Sequence, residues 1–265
     1  MTETIVSPVQ AAIRAAGSER KGALIGYLPI GFPDLATSVD AAVALVEAGV
    51  DVLELGLPYS DPVMDGPVIQ SATQQALAAG FRVRDVFTAV RAVRERVDAP
   101  ALVMTYWNPV LQYGVDRFAD ELKAAGGAGL ITPDITPDQA AEWIAASDRT
   151  GLERVFLAAP TSSDERLRLA ARSSRGFVYA VSTMGVTSAR ASVDAAAHVL
   201  AGRLTDAGAD TVCVGIGIST AAQVSDVLGY ADGAIVGSLL VKALGDGGVE
   251  GVRRAASDLA RGTRA

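Results

Sequence analysis

The chain has 265 residues, of which half are hydrophobic and a fifth are charged, and its formal net charge is −7. This acidic balance argues against a nucleic-acid-binding surface, because neutralising phosphates requires clustered cations and the arginines here are scattered. No run approaches the roughly 18 consecutive apolar residues of a membrane helix. The composition predicts a soluble protein with a large core.

The N-terminal segment predicts a cytoplasmic protein, because Glu3 lies early and no basic segment precedes an apolar block, as a secretory signal would require. Cys213 is the single cysteine and cannot form an internal disulfide. Its strand-like surroundings predict a small buried hydrophobic side chain without a functional role.

Short β-branched runs alternate with longer Ala-rich amphipathic segments along the chain. Strands are predicted at 23–30, 51–57, 101–106, 129–134, 154–159, 177–181, 211–217 and 232–238. Helices are predicted at 35–48, 67–79, 84–97, 115–125, 137–149, 163–174, 192–207, 219–229 and 249–261. The alternation indicates βα units around a parallel sheet.

Eight strands with intervening helices, and no linker rich in Gly, Pro or Ser, favour a single (β/α)8 domain over residues 1–265. We predict a TIM barrel with an extra N-terminal helix. A doubly wound open sheet is less favoured, because no Gly-x-Gly-x-x-Gly follows the first strand. In such barrels the chemistry occurs at the C-terminal ends of the strands and in the loops after them.

Glu54 interrupts the apolar second strand, "DVLELGL". Period-two alternation places it on one face with Val52 and Gly56, opposite three leucines that suit the helix-facing side. Glu54 should therefore point into the barrel mouth, where an apolar wall would raise its pKa, as a general acid/base requires. The structural alternative is neutralisation by an inward-facing Arg or Lys, but no other predicted strand supplies one near its C-terminal end.

Asp61 and Asp65 lie in the loop that follows this strand. Aspartate is common in such loops as a turn former or helix cap, and Asp65 could simply start a helix at Pro67. A catalytic role for Asp65 stays open because its loop overhangs the mouth that Glu54 enters. One histidine and one cysteine, both outside this loop, argue against zinc, and a carboxylate magnesium site is a minor alternative.

The seventh and eighth strands end in "VGIGIST" and "IVGSLL", each leading into a helix. Glycines at these two strand ends form the recurrent phosphate site of such barrels, in which backbone N–H groups and a helix dipole bind the anion. The predicted phosphate-binding residues are Gly217, Ser219, Gly237 and Ser238. The long loop after the sixth strand could close over this site with Thr187 or Ser188.

Together these loops resemble the tryptophan synthase alpha subunit family. "LELGLPYSDPVMDGPVIQ" is similar to its signature around the second strand. "GYLPIGFPD", "YAVSTMGVTSAR", "VGIGIS" and "IVGS" match its first, sixth, seventh and eighth strand segments in order, so the resemblance covers almost the whole chain. It implies a retro-aldol lyase that cleaves indole-3-glycerol phosphate to indole and glyceraldehyde 3-phosphate in tryptophan biosynthesis.

The resemblance implies a role for each carboxylate. Glu54 would protonate C3 of the indole and handle the glycerol hydroxyl, and Asp65 would stabilise the positive charge on the indole nitrogen. Thr187 matches the lid residue that closes against the Asp, and Ser188 stands near the phosphate where the family usually has Gly. The other residues expected to contact the substrate are Tyr27, Met104, Ile131, Leu157 and Tyr179.

The resemblance also implies a partner, the pyridoxal-phosphate-dependent beta subunit, in a complex of two alpha and two beta subunits. The residues expected to face it are Pro58, Tyr59, Asp61 and Asn108. This chain itself is expected to bind no pyridoxal phosphate, because none of its three lysines falls at the C-terminal end of a predicted strand. No metal site is expected either, because the chain has only one histidine. Protonation at C3 would let the indole ring accept the electrons, so two carboxylates would suffice.

Two other functions fit part of the pattern. Another phosphosugar isomerase or lyase could use Glu54 as a base for enolisation. A non-catalytic phosphate-ligand binder could instead activate a partner enzyme, although such a protein has no need for a desolvated acid.

Overall fold

A computed structural model describes residues 7–181, 190–215 and 217–264, with side chains from residue 195 onward in the second range. Within these residues eight parallel strands close a barrel in sequence order. The strands are β1 (Ala23–Pro29), β2 (Val52–Gly56), β3 (Ala101–Met104), β4 (Gly129–Thr132), β5 (Glu153–Ala158), β6 (Val178–Val181), β7 (Val212–Gly215) and β8 (Gly233–Val236). The TIM barrel prediction is confirmed, and every strand boundary lies within two residues of its predicted place.

Helices surround the barrel. They are α1 (Pro8–Glu19), α2 (Leu35–Glu47), α3 (Pro67–Ala78), α4 (Asp85–Arg94), α5 (Trp107–Tyr113), α6 (Val115–Ala124), α7 (Ala141–Thr150), α8 (Asp164–Ser173), α9 (Arg190–Asp206), α10 (Ala221–Val227) and α11 (Ser238–Ala260), with 3-10 turns at Pro137–Gln139 and Arg261–Thr263. None of the described helices is long and apolar enough to cross a membrane.

One helical prediction was wrong in extent, and one helix was missed. The segment predicted at 249–261 is only the second part of α11, which begins at Ser238 and is interrupted at Gly248 (φ 58°, ψ −155°). Helix α5 was not predicted, because its Asn108-Pro109 dipeptide is typical of a turn. Both differences concern loops at the C-terminal end of the barrel, because α5 follows β3 and α11 follows β8 directly.

Side chains alternate between two packing layers. Val52, Leu102, Ile131 and Val155 belong to a cluster inside the barrel, together with the buried Cys213. The leucines of β2 instead pack in the larger cluster between strands and helices. The predicted alternation of β2 is therefore confirmed, and it directs residue 54 inward.

Helix α1 closes the N-terminal end of the barrel. Its buried residues Val9, Ile13 and Ala16 belong to the same cluster as the interior strand residues. Because one end is filled by this helix, a substrate reaches the interior from the opposite end, where the C-termini of the strands meet.

Candidate active site

A cavity of about 420 Å³ lies at the C-terminal end of the barrel. Its walls are largely apolar, and a few polar groups converge on it, which is the usual composition of a small-molecule site. The predicted site residues that line it are Tyr27, Glu54, Asp65, Met104, Leu157, Tyr179, Gly217, Gly237 and Ser238.

Glu54 reaches the floor of this cavity from the middle of β2, in register with Tyr27 of β1 and Leu102 of β3. It is 1% exposed, and its Oε2 atom is buried with no hydrogen-bond partner among the described residues. Burial, and then the charge of Asp65, raise the pKa of Glu54 to about 8. No cation faces this carboxyl in the described chain, so the structural alternative of a neutralised Glu is not observed.

Asp65 is half-buried at the cavity rim, in the connection between β2 and α3. The N-cap of α3 is Gly66 and has no side-chain cap, so Asp65 does not start this helix. The Asp65 backbone is held in place, because its N–H donates to the Pro62 carbonyl at 3.1 Å and its carbonyl accepts from Gln70 Nε2 at 2.8 Å. The Asp65 side chain lines the cavity and also accepts a hydrogen bond from Tyr106.

The two carboxyl groups titrate at different pH. Burial raises the pKa of Asp65 to about 6, and a hydrogen bond from Tyr106 opposes this rise. With Glu54 near 8, a neutral solution leaves Glu54 protonated and Asp65 ionised. A pair of acids whose pKa values are separated by their surroundings is the arrangement that assigns one acid and one anion in catalysis.

Two tyrosines flank Glu54, and glycines make room for them. A Cβ atom at Gly56 would lie 2.3 Å from the Tyr27 hydroxyl, and one at Gly215 would lie 2.4 Å from the Tyr179 hydroxyl. Burial, together with the charges of both carboxyl groups, raises the pKa of each phenol well above its ordinary value. The tyrosines therefore present neutral rings and hydroxyls to the cavity.

The β8 side of the cavity has the features of an anion site. Ser238 is the first residue of the 23-residue α11, and the N-cap Gly237 offers no side chain to its free N–H groups. Gly217 lines the same wall with φ of 65°, a conformation that favours glycine. Ser219 is exposed outside this lining, and its N–H donates to Gln223 Oε1 at 2.8 Å.

The depth of the cavity differs from the prediction at β4. Ile131 is fully buried in the barrel interior and does not line the cavity, whereas Pro133, two residues farther along the same face, does. Strand alternation could have identified Pro133. Met64 and Ile69 also line the cavity, but they come from the β2–α3 connection and α3, whose path carries no sequence signal.

The residues expected at a partner surface lie beside this mouth. Asp61 and Asn108 are exposed, Tyr59 is half-buried, and Pro58 is buried. Asn108 Nδ2 donates to the Tyr59 hydroxyl at 3.3 Å, which joins the β2–α3 connection to α5. The expected lid residues, Thr187 and Ser188, lie outside the described residues.

No group of three or more His, Cys, Asp or Glu side chains is arranged to hold a metal ion within residues 7–181, 190–215 and 217–264. Among the described residues, the polar side chains at the cavity are the carboxyl groups of Glu54 and Asp65 and the hydroxyls of two tyrosines and Ser238. These groups suit proton transfer and charge stabilisation.

The family model for the tryptophan synthase alpha chain matches residues 13–262. The chain is 69% identical over 257 residues to the tryptophan synthase alpha chain of Leifsonia xyli, covering 97% of this chain and 98% of the relative. It is 56% identical over 250 residues to that of Mycobacterium avium, covering 94% and 92%.

The structure is similar to tryptophan synthase from M. tuberculosis in an open form with BRD0059 bound. The TM-score is 0.91 at 48% identity, and the match covers 98% of this chain and 99% of that one. The sequence, the fold and the paired carboxyl groups therefore agree, and the chain belongs to the tryptophan synthase alpha chain family, which cleaves indole-3-glycerol phosphate in tryptophan biosynthesis.

Proposed function

We propose that Glu54 and Asp65 cleave indole-3-glycerol phosphate to indole and glyceraldehyde 3-phosphate in the cavity at the C-terminal end of the barrel. The observation that carries this assignment is the Glu54 carboxyl, which is buried among apolar walls without an ion-pair partner in the described chain. Its pKa of about 8 keeps a proton available at neutral pH, beside an ionised Asp65 with a pKa of about 6.

The proton on Glu54 goes to C3 of the indole ring. The positive charge that results is shared with the ring nitrogen, whose N–H donates to the Asp65 carboxylate. The bond between C3 and the glycerol side chain then breaks, and its electron pair returns to the ring and restores the aromatic indole. The adjacent glycerol hydroxyl becomes the aldehyde and gives its proton to the Glu54 carboxylate, so the enzyme returns to its starting state.

Substrate binding divides between two walls of the cavity. The apolar side chains of Met104 and Leu157 and the ring of Tyr27 line the part suited to an indole. The N-terminus of α11, with Gly217 and Gly237, suits the phosphate, whose dianion interacts with free N–H groups and the helix dipole. Thr187 and Ser188 would complete the site from the loop after β6.

This chain works without a cofactor of its own in our proposal, because the protonated ring accepts the electrons that a Schiff-base lysine or a metal accepts in other aldol cleavages. Pyridoxal phosphate belongs to the beta subunit, which receives the indole. Tyr59, Asp61 and Asn108 face that partner, and exposed apolar residues extend the same rim, with Val63 at 79% and Leu111 at 48% exposure. We place the complex, of two alpha and two beta subunits, in the cytoplasm.

The purified chain is assayed for release of indole from indole-3-glycerol phosphate, with and without a beta subunit and in the presence of a metal chelator. We expect turnover in each condition. In Asp65→Asn the neutral amide no longer stabilises the ring cation, so kcat should fall by roughly 10²-fold or more with little change in KM. Turnover of other phosphosugars but not of the indole substrate, or ligand binding without turnover, would reject the proposal.

A further inference from the structure

We propose that Tyr106 is a positioning residue for Asp65, whose carboxylate it holds toward the cavity through a phenol that is itself fixed by the loop backbone. The inference rests on the role of Asp65 proposed above. Tyr106 comes two residues after the end of β3, is 5% exposed and does not line the cavity. It therefore acts on the substrate only through Asp65.

The hydroxyl of Tyr106 has a defined orientation. Its oxygen accepts a hydrogen bond from the backbone N–H of Met64, the residue before Asp65, at 2.9 Å. A phenol has one O–H donor besides its acceptor oxygen. With the acceptor engaged by Met64, the O–H serves the Asp65 carboxylate as a hydrogen-bond donor.

Tyr106 is anchored more firmly than the residue it holds. The N–H before it, of Thr105, donates to the Ile131 carbonyl of β4 at 3.0 Å. The N–H after it, of Trp107, donates to both Asp134 carboxylate oxygens, at 2.9 and 3.1 Å. Asp65, by contrast, lies in the ten-residue connection between β2 and α3. Tyr106 thus ties this connection to the barrel wall.

A second aromatic ring braces Tyr106 from the solvent side. The rings of Tyr59 and Tyr106 lie 5.2 Å apart between centroids, at an interplanar angle of 31°. Tyr59 belongs to the same connection as Asp65, and its hydroxyl accepts from Asn108 of α5. The connection therefore meets Tyr106 twice, through the Tyr59 ring and through the Met64–Asp65 pair.

The electrostatics give the proposal a measurable consequence. The titratable groups that face Asp65 are Glu54, Tyr27, Tyr179 and Tyr106, and Asp134 additionally faces Tyr106. Among the causes acting on Asp65, burial raises its pKa and the Tyr106 hydrogen bond lowers it. Removing this hydroxyl should therefore raise the pKa of Asp65 above about 6 and leave less carboxylate at neutral pH.

The test is the pH profile of kcat/KM for Tyr106→Phe, because this ratio reports the pKa values of the free enzyme. The wild-type profile should be bell-shaped, with an acid limb from Asp65 and a basic limb from Glu54. In the variant we expect the acid limb to move up by roughly one pH unit and kcat/KM at pH 6 to fall by about fivefold. Tyr113→Phe is the matched control, because it removes a hydroxyl of α5 that donates to Glu121 at 2.8 Å and lies outside the cavity.

A second readout does not depend on turnover. Carbon-13 NMR of labelled aspartate carboxyl groups follows the titration of Asp65 directly, with Asp65→Asn identifying its resonance. We expect the Asp65 pKa to rise in Tyr106→Phe and to stay at its wild-type value in Tyr113→Phe. An unmoved Asp65 pKa overturns the inference, including the case in which kcat falls without a shift of the acid limb, because such a loss would be only structural.

The two proposals fail in different ways. If Asp65→Asn keeps wild-type turnover, the proposed function is wrong at that residue. If Asp65→Asn is inactive and Tyr106→Phe behaves like the wild type in both profiles, only the positioning role of Tyr106 is wrong.

Discussion

The barrel contains a buried glutamate at each end, Glu54 in β2 at the open end and Glu153 at the start of β5 at the end closed by α1. They are 1% and 0% exposed, and each has a buried Oε2 atom without a hydrogen-bond partner in the described residues. Burial is the main cause of a raised pKa in both, to about 8 for Glu54 and about 7 for Glu153. By these measures alone the two residues are nearly equivalent.

Their partners distinguish them. Glu153 Oε1 accepts from the Ser7 hydroxyl and from the Val9 N–H at 3.1 Å, and the charges of Arg175 and Lys123 also favour its ionised form. Glu153 therefore anchors the first turn of α1. Glu54 has no such donors or cations among its described neighbours and faces a cavity that also holds Asp65. A raised pKa alone does not mark a catalytic acid, whereas a raised pKa at an open cavity marks a candidate for one.

The largest expected effect is on kcat, and it should differ between the two ends of the barrel when the same Glu→Gln substitution is made at each. Glu54→Gln removes the proposed proton donor and should lower kcat by roughly 10³-fold, within the usual range for general acid/base catalysis. Glu153→Gln lies at the closed end and should leave kcat within about twofold, because it touches no substrate. Both are measured as indole release, with circular dichroism to confirm folding. Comparable losses in the two folded variants would show that the two glutamates do not differ in function.

The sequence predicts the strands well, because their β-branched runs are short and their alternation has period two. Alternation alone placed Glu54 inward. It does not show how deep the cavity begins, and Ile131, which the family resemblance implied as a substrate contact, lies in the barrel interior while Pro133 lines the cavity. Glu153 was missed because the predicted fifth strand began one residue later.

Contacts between loops that are far apart in the chain could not be predicted from the sequence. Tyr106 and Met64 are 42 positions apart, and nothing in either segment predicts their hydrogen bond. Asp65 had two interpretations that only the observed N-cap at Gly66 separates. Ser219 looked equivalent to Ser238, but its own helix occupies its N–H through Gln223.

The pH dependence of stability gives a second, smaller test of the comparison. A glutamate whose folded pKa exceeds its unfolded value of about 4.5 contributes stability that is complete below that pH and is lost as pH rises through the folded pKa. Gln does not titrate, so each Gln variant should gain stability relative to the wild type as pH rises. The gain should be at most about 1.4 kcal/mol per pH unit.

The pH at which this gain in stability stops should differ between the two residues. For Glu54→Gln the relative gain should continue to about pH 8, and for Glu153→Gln it should stop near pH 7. Urea denaturation of the three proteins between pH 5 and pH 9 measures both limits. If the difference in unfolding free energy between Glu54→Gln and the wild type does not change with pH, the pKa of Glu54 is not raised. That result would remove the basis for the proposed role of Glu54 as the proton donor.

The smallest expected effect concerns the closed end alone. Ser7 caps α1, accepting from the Gln10 N–H at 3.1 Å, and also donates to Glu153. Ser163 is the N-cap of α8, accepting from the Arg166 N–H at 3.4 Å, with no buried carboxylate on its hydroxyl among the described contacts. Ser163→Ala should cost about 1 kcal/mol, as an ordinary cap does.

Ser7→Ala should cost about 2 kcal/mol, because it also leaves Glu153 with one donor fewer in a buried position. Both variants should keep wild-type kcat, and urea denaturation at pH 7.5 measures the two costs. Equal costs would mean that the Ser7 hydroxyl acts only as a cap. A greater cost at Ser7 with unchanged kcat would show that the buried glutamate of the closed end holds α1 in place and takes no part in the reaction.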